Sequence, residues 1–126
     1  MEIVRDFLTE SAQPNVRSYE SGELNVLGAR YSGGVILTPD RVIDNWPPRS
    51  AAALEPEDLR PLLELDPPPK TVLIGTGETQ VFPPQSCLAP LIEARIGFEV
   101  MDTRAACRTW NIMLSENRKV AAALIL

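Results

Sequence analysis

The 126-residue sequence contains no histidine and only two cysteines, Cys87 and Cys107. Without histidine, the chain lacks the usual general base of Ser-His-Asp and Cys-His pairs, and it lacks the commonest zinc ligand. The two cysteines form no Cys-x-x-Cys pair. In a chain without an export signal, isolated thiols are typical of reduced core residues and not of a disulfide. We therefore expect no catalytic residue of these types, no metal and no cofactor.

Clusters of basic residues and long apolar runs are also missing. The net charge is −5, and the twelve Lys and Arg residues are scattered from Arg5 to Lys119, whereas nucleic-acid-binding proteins concentrate them on one face. The longest apolar run, 120–126, is far shorter than the ~20 residues of a membrane helix. Residues 1–6 show no secretory signal pattern. These absences predict a soluble, cytoplasmic protein without nucleic-acid binding or membrane insertion.

The composition that is present is typical of a folded protein. Hydrophobic residues make up 44% and interspersed charged residues 23% of the chain, which is enough for a core without disulfides or metal. Proline clusters at 47–48, 67–69 and 83–84 divide the chain into pieces of about 15 to 40 residues, too short to fold alone. We therefore expect residues 1–126 to form a single domain.

The first half alternates short β-like runs with turn residues, which predicts an N-terminal antiparallel β meander. Ser21-Gly22 and Pro39-Asp40 are the predicted hairpin corners, because glycine permits positive φ and proline presets the first turn position. A short helix is expected over 56–65, with Pro61 delaying its start or kinking it. The predicted strands of the meander are 16–19, 24–27, 35–37 and 41–46.

The second half alternates strands with helices. This order predicts βαβ units and a sheet that is at least partly parallel, with both faces covered. The expected fold class is therefore α/β with the meander attached. The predicted strands are 70–74, 97–101 and 119–126, and the predicted helices are 84–95 and 103–116.

The corner Gly75-Thr76-Gly77 follows a predicted strand, as phosphate-binding loops do. The next glycine of a Gly-x-Gly-x-x-Gly motif is replaced by Gln80, and no Gly-Lys-Ser/Thr follows. Pro83-Pro84 also reduces the number of free N–H groups where the next helix begins. We favour a structural turn, and a ligand loop remains the alternative.

Asp102 and Thr103 follow another predicted strand, and both are suited to capping the helix that comes next. In open α/β sheets, ligands bind outside the carboxyl ends of parallel strands. If the two strands are neighbours, the Thr103 loop and the Gly75 corner converge there. The pair therefore has a structural interpretation and a ligand-binding one.

The helix that follows carries three further candidates. Cys107 is interpreted as a small buried hydrophobe, the alternative being a thiol activated by the helix dipole and the nearby Arg104 or Arg108. Arg108 and Asn111 lie three residues apart, near one helical face. Arg108 can hold a carboxylate or phosphate, although a solvated surface pair is the commoner outcome.

Trp46 precedes Pro47-Pro48. Such a residue is usually a core aromatic, but an exposed Trp46 would indicate a protein-binding spot.

Four stretches together resemble the Mth938-like family, also called DUF498, which includes the mitochondrial complex I assembly factor 3 proteins. They are "GGVILTPDRVIDNWP", "VLIGTGETQVFPP", "RIGFEVMDTRAACRTWN" and "NRKVAAALIL". The resemblance implies a three-layer fold: a mixed central sheet with helices on one face and a helix plus extra strands on the other. It does not imply a catalysed reaction.

Two functions remain open from the sequence, besides a third alternative in which the corner and caps are purely structural and the function lies on the surface of the meander. The first is a non-enzymatic binding or assembly module whose partners are proteins, respiratory complex subunits among them. The second is a small-molecule or anion binder, or an enzyme, that uses the two strand-end loops. The ligand- or partner-binding candidates are Gly75, Thr76, Gly77, Gln80, Asp102, Thr103, Cys107, Arg108 and Asn111.

Overall fold

The computed structural model describes residues 4–6, 13–20 and 22–126. Residues 1–3 and Ser21, which entered the signal-peptide and hairpin predictions, lie outside the described residues. The strands are β1 (Val4–Asp6), β2 (Val16–Glu20), β3 (Glu23–Val26), β4 (Ala29–Tyr31), β5 (Gly34–Thr38), β6 (Arg41–Trp46), β7 (Thr71–Thr76), β8 (Gly97–Met101) and β9 (Val120–Ile125). The helices are α1 (Arg60–Leu63), α2 (Gln85–Glu93) and α3 (Thr103–Ser115).

Six strands form a mixed central sheet in the order β1-β6-β5-β9-β7-β8. Strand β7 pairs in parallel with both β8 and β9, and the remaining pairs are antiparallel. Helix α2 connects β7 to β8, and α3 connects β8 to β9. The predicted βαβ units are therefore confirmed.

The central sheet is covered on both faces, which gives the expected three layers. On one face α1, α2 and two 3₁₀ turns, Ala51–Ala53 and Pro56–Leu59, close a core that includes Leu59, Leu62 and Leu91. On the other face α3 and a three-stranded sheet, β2-β3-β4, close a second core around Trp110 and Leu114.

Strand β9 lies between the two cores. Val120, Ala122 and Leu124 belong to the core beside α3, whereas Ala121, Ala123 and Ile125 belong to the opposite core. Successive side chains of a strand point to opposite faces, so a continuous apolar run fits a strand that is buried on both sides.

The antiparallel meander is confirmed for β2 and β3, which β4 completes, but the assignment of 35–37 and 41–46 to it is wrong. Those residues lie in β5 and β6 of the central sheet. All five residues of β5 are buried, and Val35 pairs with Leu124 of β9. A strand buried on both faces belongs inside a covered sheet and not in a half-exposed meander.

The predicted helix over 56–65 starts late, as Pro61 led us to expect. Residues Pro56–Leu59 form the 3₁₀ turn, and Pro61 lies in the first turn of α1, where its missing N–H has no intrahelical partner to lose. The Pro39-Asp40 corner is confirmed, because Thr38 pairs with Arg41 across it. Within the described ranges, no helix has the length and apolar character to cross a membrane.

Candidate functional site

The two strand-end loops singled out in the sequence meet in the fold. Strands β7 and β8 are parallel neighbours, and Gly75 pairs with Met101 at their carboxyl ends. The Gly75 corner and the Asp102-Thr103 loop therefore lie side by side, as expected if the strands were adjacent.

Thr103 connects these loops to a third strand. Its hydroxyl accepts a hydrogen bond from the Gly77 N–H (2.8 Å) and donates one to the Ile125 carbonyl of β9 (2.5 Å). The Thr103 N–H donates to the Gly77 carbonyl at 2.9 Å. Thr103 is fully buried. The backbone groups that a phosphate would need at Gly77 are already paired, which supports the structural turn.

Both glycines of the corner are required by the backbone. Gly77 has φ of +93°, in the region that glycine adopts without strain. A Cβ on Gly75 would lie 2.9 Å from both the Thr103 hydroxyl oxygen and Leu124 Cδ2. The Gly-x-Gly pattern therefore serves a turn and a close approach between β7 and α3.

Thr76 and Gln80 hold the loop that leaves the corner. The Thr76 hydroxyl donates to the Thr79 carbonyl (2.6 Å) and accepts from the Val81 N–H (3.1 Å). The Gln80 amide donates to the Val100 carbonyl of β8 at 2.9 Å. These two candidates therefore stabilise the loop itself.

That loop presents two apolar side chains that the sequence analysis did not single out. Val81 is 44% and Phe82 68% exposed, directly before Pro83-Pro84. The only sequence signal for them is their position between a glycine corner and a double proline. That position indicates an exposed loop and not a buried strand or helix.

Asp102 is the N-cap of α3, where its carboxylate accepts from the Ala105 N–H at 2.8 Å. It also borders a cleft of about 310 Å³, together with Glu78, Arg104 and Tyr19. The Arg104 guanidinium lies 5.5 Å from the centre of the Tyr19 ring, and burial raises the pKa of Tyr19. Two carboxylates beside one guanidinium do not favour an anion in this cleft.

Cys107 lies on the buried side of α3 and is 6% exposed. Burial raises the pKa of its thiol to about 12, which outweighs the lowering effect of Arg104 and Arg108. A thiol with this pKa is protonated at neutral pH and is a poor nucleophile. The structure therefore favours the small buried hydrophobe.

Arg108 and Asn111 have different surroundings. The Asn111 side chain accepts from the Val16 N–H (2.8 Å) and donates to the Val16 carbonyl (2.9 Å), so it fastens β2 to α3. Arg108 is exposed. Trp46 is buried and its indole N–H donates to the Asp58 carbonyl, so its alternative interpretation as an exposed contact is wrong.

Within residues 13–20 and 22–126, no group of three or more Cys, Asp or Glu side chains is arranged to hold a metal ion.

The fold and its loops place the chain in a known family. The family described as "Protein of unknown function (DUF498/DUF598)" matches residues 16–125. The chain therefore belongs to this family, and the resemblance seen in the sequence is confirmed.

Two solved structures of relatives have the same fold, and the name of a third relative gives its role. A crystal structure of a Bordetella parapertussis protein is 31% identical, with a TM-score of 0.82 over 91% of this chain and 97% of that one. A Bordetella pertussis protein described as a Mth938-like domain is 28% identical, with a TM-score of 0.77 over 88% and 84%. The mouse NADH dehydrogenase [ubiquinone] 1 alpha subcomplex assembly factor 3 is 33% identical over 111 residues. That match covers 87% of this chain but only 59% of the mouse protein.

Proposed function

We propose that this chain is a non-catalytic protein-binding module that acts in the assembly of a respiratory NADH dehydrogenase. The similarity to the mouse assembly factor supports this role. The partner is a subunit of that complex or another factor that assembles it. The cytoplasmic location expected from the sequence stays a prediction.

The exposed Phe82 carries the proposal. A large aromatic side chain that is 68% exposed beside Val81 is the kind of residue that dominates the affinity of protein interfaces. Its loop is fastened through Thr76 and Gln80, so binding costs little ordering of the backbone. Phe82 therefore has the properties of an interface anchor.

The contacts of the candidate loops favour binding over catalysis. Thr103 and Gly77 form two hydrogen bonds with each other, which occupy the backbone groups of Gly77. Cys107 is buried, and the pKa of its thiol is raised. Thr76, Gln80 and Asn111 are engaged by backbone groups. The alternative, a ligand or substrate at the strand-end loops, lacks a comparable supporting contact among the described residues.

The test is gentle isolation of the tagged chain from its own cells, followed by native mass spectrometry with identification of each partner. We expect NADH dehydrogenase subunits or assembly proteins with the unmodified chain. We expect their loss with Phe82→Ser, since a polar side chain removes the anchor. Ile112→Ser is the matched control, because Ile112 is also exposed, at 59%, but lies on α3.

A second measurement tests whether the chain is needed for assembly in the cell. Deletion of the gene should lower the amount of assembled NADH dehydrogenase, and the Ile112→Ser chain should restore it while Phe82→Ser does not. An unchanged amount of complex in the deletion strain, with a chain that is isolated alone, would contradict the proposal. An added mass of a few hundred daltons in place of a protein would instead support the ligand-binding alternative.

A further inference from the structure

Three basic residues precede adjacent strands at the end of the central sheet opposite the Gly75 corner. Lys119 directly precedes β9, Lys70 directly precedes β7, and Arg95 lies just before β8. These strands are adjacent in the order β9-β7-β8. The Lys70 N–H donates to the Lys119 carbonyl (2.9 Å), and the Gly97 N–H donates to the Lys70 carbonyl (3.0 Å). Three of the twelve basic residues, which are scattered in the sequence, are thus brought to one end of the sheet by its parallel strands.

The three cations line one cleft of about 570 Å³. Its remaining walls are apolar and include Leu63 and Ile96. No carboxylate of the described residues lines the cleft, and in the same part of the chain none of the three cations forms an ion pair. In a chain of net charge −5, this is a local concentration of basic residues in a cleft whose described lining has no carboxylate.

Arg95 is held in place by the end of α2. Its φ is +59°, and the following Ile96 N–H donates to the Leu91 carbonyl at 2.9 Å. This is the left-handed helix end at which glycine is the usual residue. The base of the Arg95 side chain is therefore fixed by a helix terminus.

We propose that this cleft binds a phosphate monoester joined to an apolar group. Two ammonium groups and one guanidinium match the double charge of a phosphate better than the single charge of a carboxylate. The apolar walls match a hydrocarbon body, and the volume lies within the roughly 300–1,000 Å³ of small-molecule sites. A soluble phosphate ester and the headgroup of phosphatidic acid share this chemistry. The site goes beyond the assembly role and does not depend on it.

The test is an NMR titration of the full chain with hexyl phosphate, which follows the backbone amides. Saturable shifts are expected at Lys70, Ile96 and Lys119. The double variant Lys70→Gln/Lys119→Gln should bind at least about tenfold more weakly, because two charge-assisted contacts are lost. Arg17→Gln/Arg30→Gln is the matched control, since it removes the same charge from exposed positions of β2 and β4 and should leave the affinity within about twofold.

The outcomes test separately the source of the ligand, the role of Arg95 and the existence of the site. Binding to phosphatidic acid vesicles as well as to hexyl phosphate identifies a lipid headgroup, whereas binding to hexyl phosphate alone identifies a soluble ester. Arg95→Gly, which suits the backbone at that position, should keep the fold and also weaken binding. Equal affinity of the lysine variant and its control, or the absence of saturable shifts, overturns the site. If inorganic phosphate binds as tightly as hexyl phosphate, the apolar walls do not contribute to binding and that part of the proposal is wrong.

Discussion

Gly75 and Thr103 are in such close contact that no side chain fits between them. A methyl group on Gly75 would lie 2.9 Å from the Thr103 hydroxyl oxygen and 3.1 Å from the Thr103 Cα. The first atom belongs to a fully bonded hydroxyl and the second to the backbone of α3, so neither can move away without cost. The distance between β7 and α3 is thus set by the absence of a Cβ.

Gly75→Ala should therefore lower the free energy of unfolding by about 1–3 kcal/mol through overpacking. Urea denaturation measures this change. Gly33→Ala is the control, because a Cβ there would meet its nearest neighbour, Asn45 Oδ1, at an ordinary 3.7 Å. Equal stability of the two variants would contradict the close approach.

Thr103→Val should destabilise the protein by about 2–3 kcal/mol, because it leaves the buried Gly77 N–H and Ile125 carbonyl without their hydroxyl partner. Thr103→Ser keeps the hydroxyl and loses only a methyl group, so its cost should be about 1 kcal/mol. Thermal or urea unfolding of both variants gives the comparison. A serine variant as unstable as the valine variant would show that packing, and not hydrogen bonding, holds the loops together.

The buried thiol of Cys107 makes stability depend on alkaline pH. Its pKa rises from an ordinary 9.0 to about 12 on folding, so the folded state favours the neutral thiol. The neutral thiol's contribution to the free energy of unfolding is fully present below pH 9. It is lost as the pH rises from 9 toward 12, by about 1.4 kcal/mol per pH unit.

Urea unfolding at pH 8, 9 and 10 checks the Cys107 effect. The unmodified chain should lose stability more steeply above pH 9 than Cys107→Ala, which lacks the group. Burial is the largest cause of the raised pKa of Tyr19, and this cause is present in both proteins. Parallel curves would disprove a buried, neutral thiol.

Asn111→Asp should release β2 from α3. The substitution removes the donor to the Val16 carbonyl but keeps an acceptor for the Val16 N–H. We expect a loss of about 2 kcal/mol, because one hydrogen bond is lost and a carboxylate then lies beside the carbonyl oxygen. Hydrogen exchange should become faster in β2 and β3 but not in β7. The same chemical change at exposed Asn117 is the control, and an equal effect there would show that the Val16 contact contributes nothing.

The second half of the fold was predictable because its signals are local. Helix α3 was expected over 103–116 and spans Thr103–Ser115, since an Asp102 cap and an apolar period of 3.6 residues suffice to define it. Strand β8 was expected over 97–101 and has those bounds.

The division of the first half between two sheets depends on distant contacts. Strand β5 pairs with β9, and nothing near residues 34–38 encodes that partner. The short strand β4 was also missed, because Ala29-Arg30-Tyr31 is too brief for a periodic pattern.

The candidate site was predictable in its position but not in its chemistry. Sequence order placed the Gly75 corner and Thr103 at the carboxyl ends of two strands, where they would converge if the strands were neighbours, and in the fold they meet. Whether a polar group faces a ligand or a backbone carbonyl depends on three-dimensional contacts. For this reason Asn111 and Gln80 looked like ligand-binding residues and are instead bonded to Val16 and Val100.

The place of β9 in the strand order also determines how the chain can fold. Strand β9 is the last described strand, yet it lies between β5 and β7. Without it, β1, β6 and β5 share no ladder with β7 and β8 in the described sheet. Contacts between residues far apart in sequence slow folding, because a long loop must close before they form. The hydrogen-bond ladders that join the two halves of the sheet therefore form only after β9 has been synthesised.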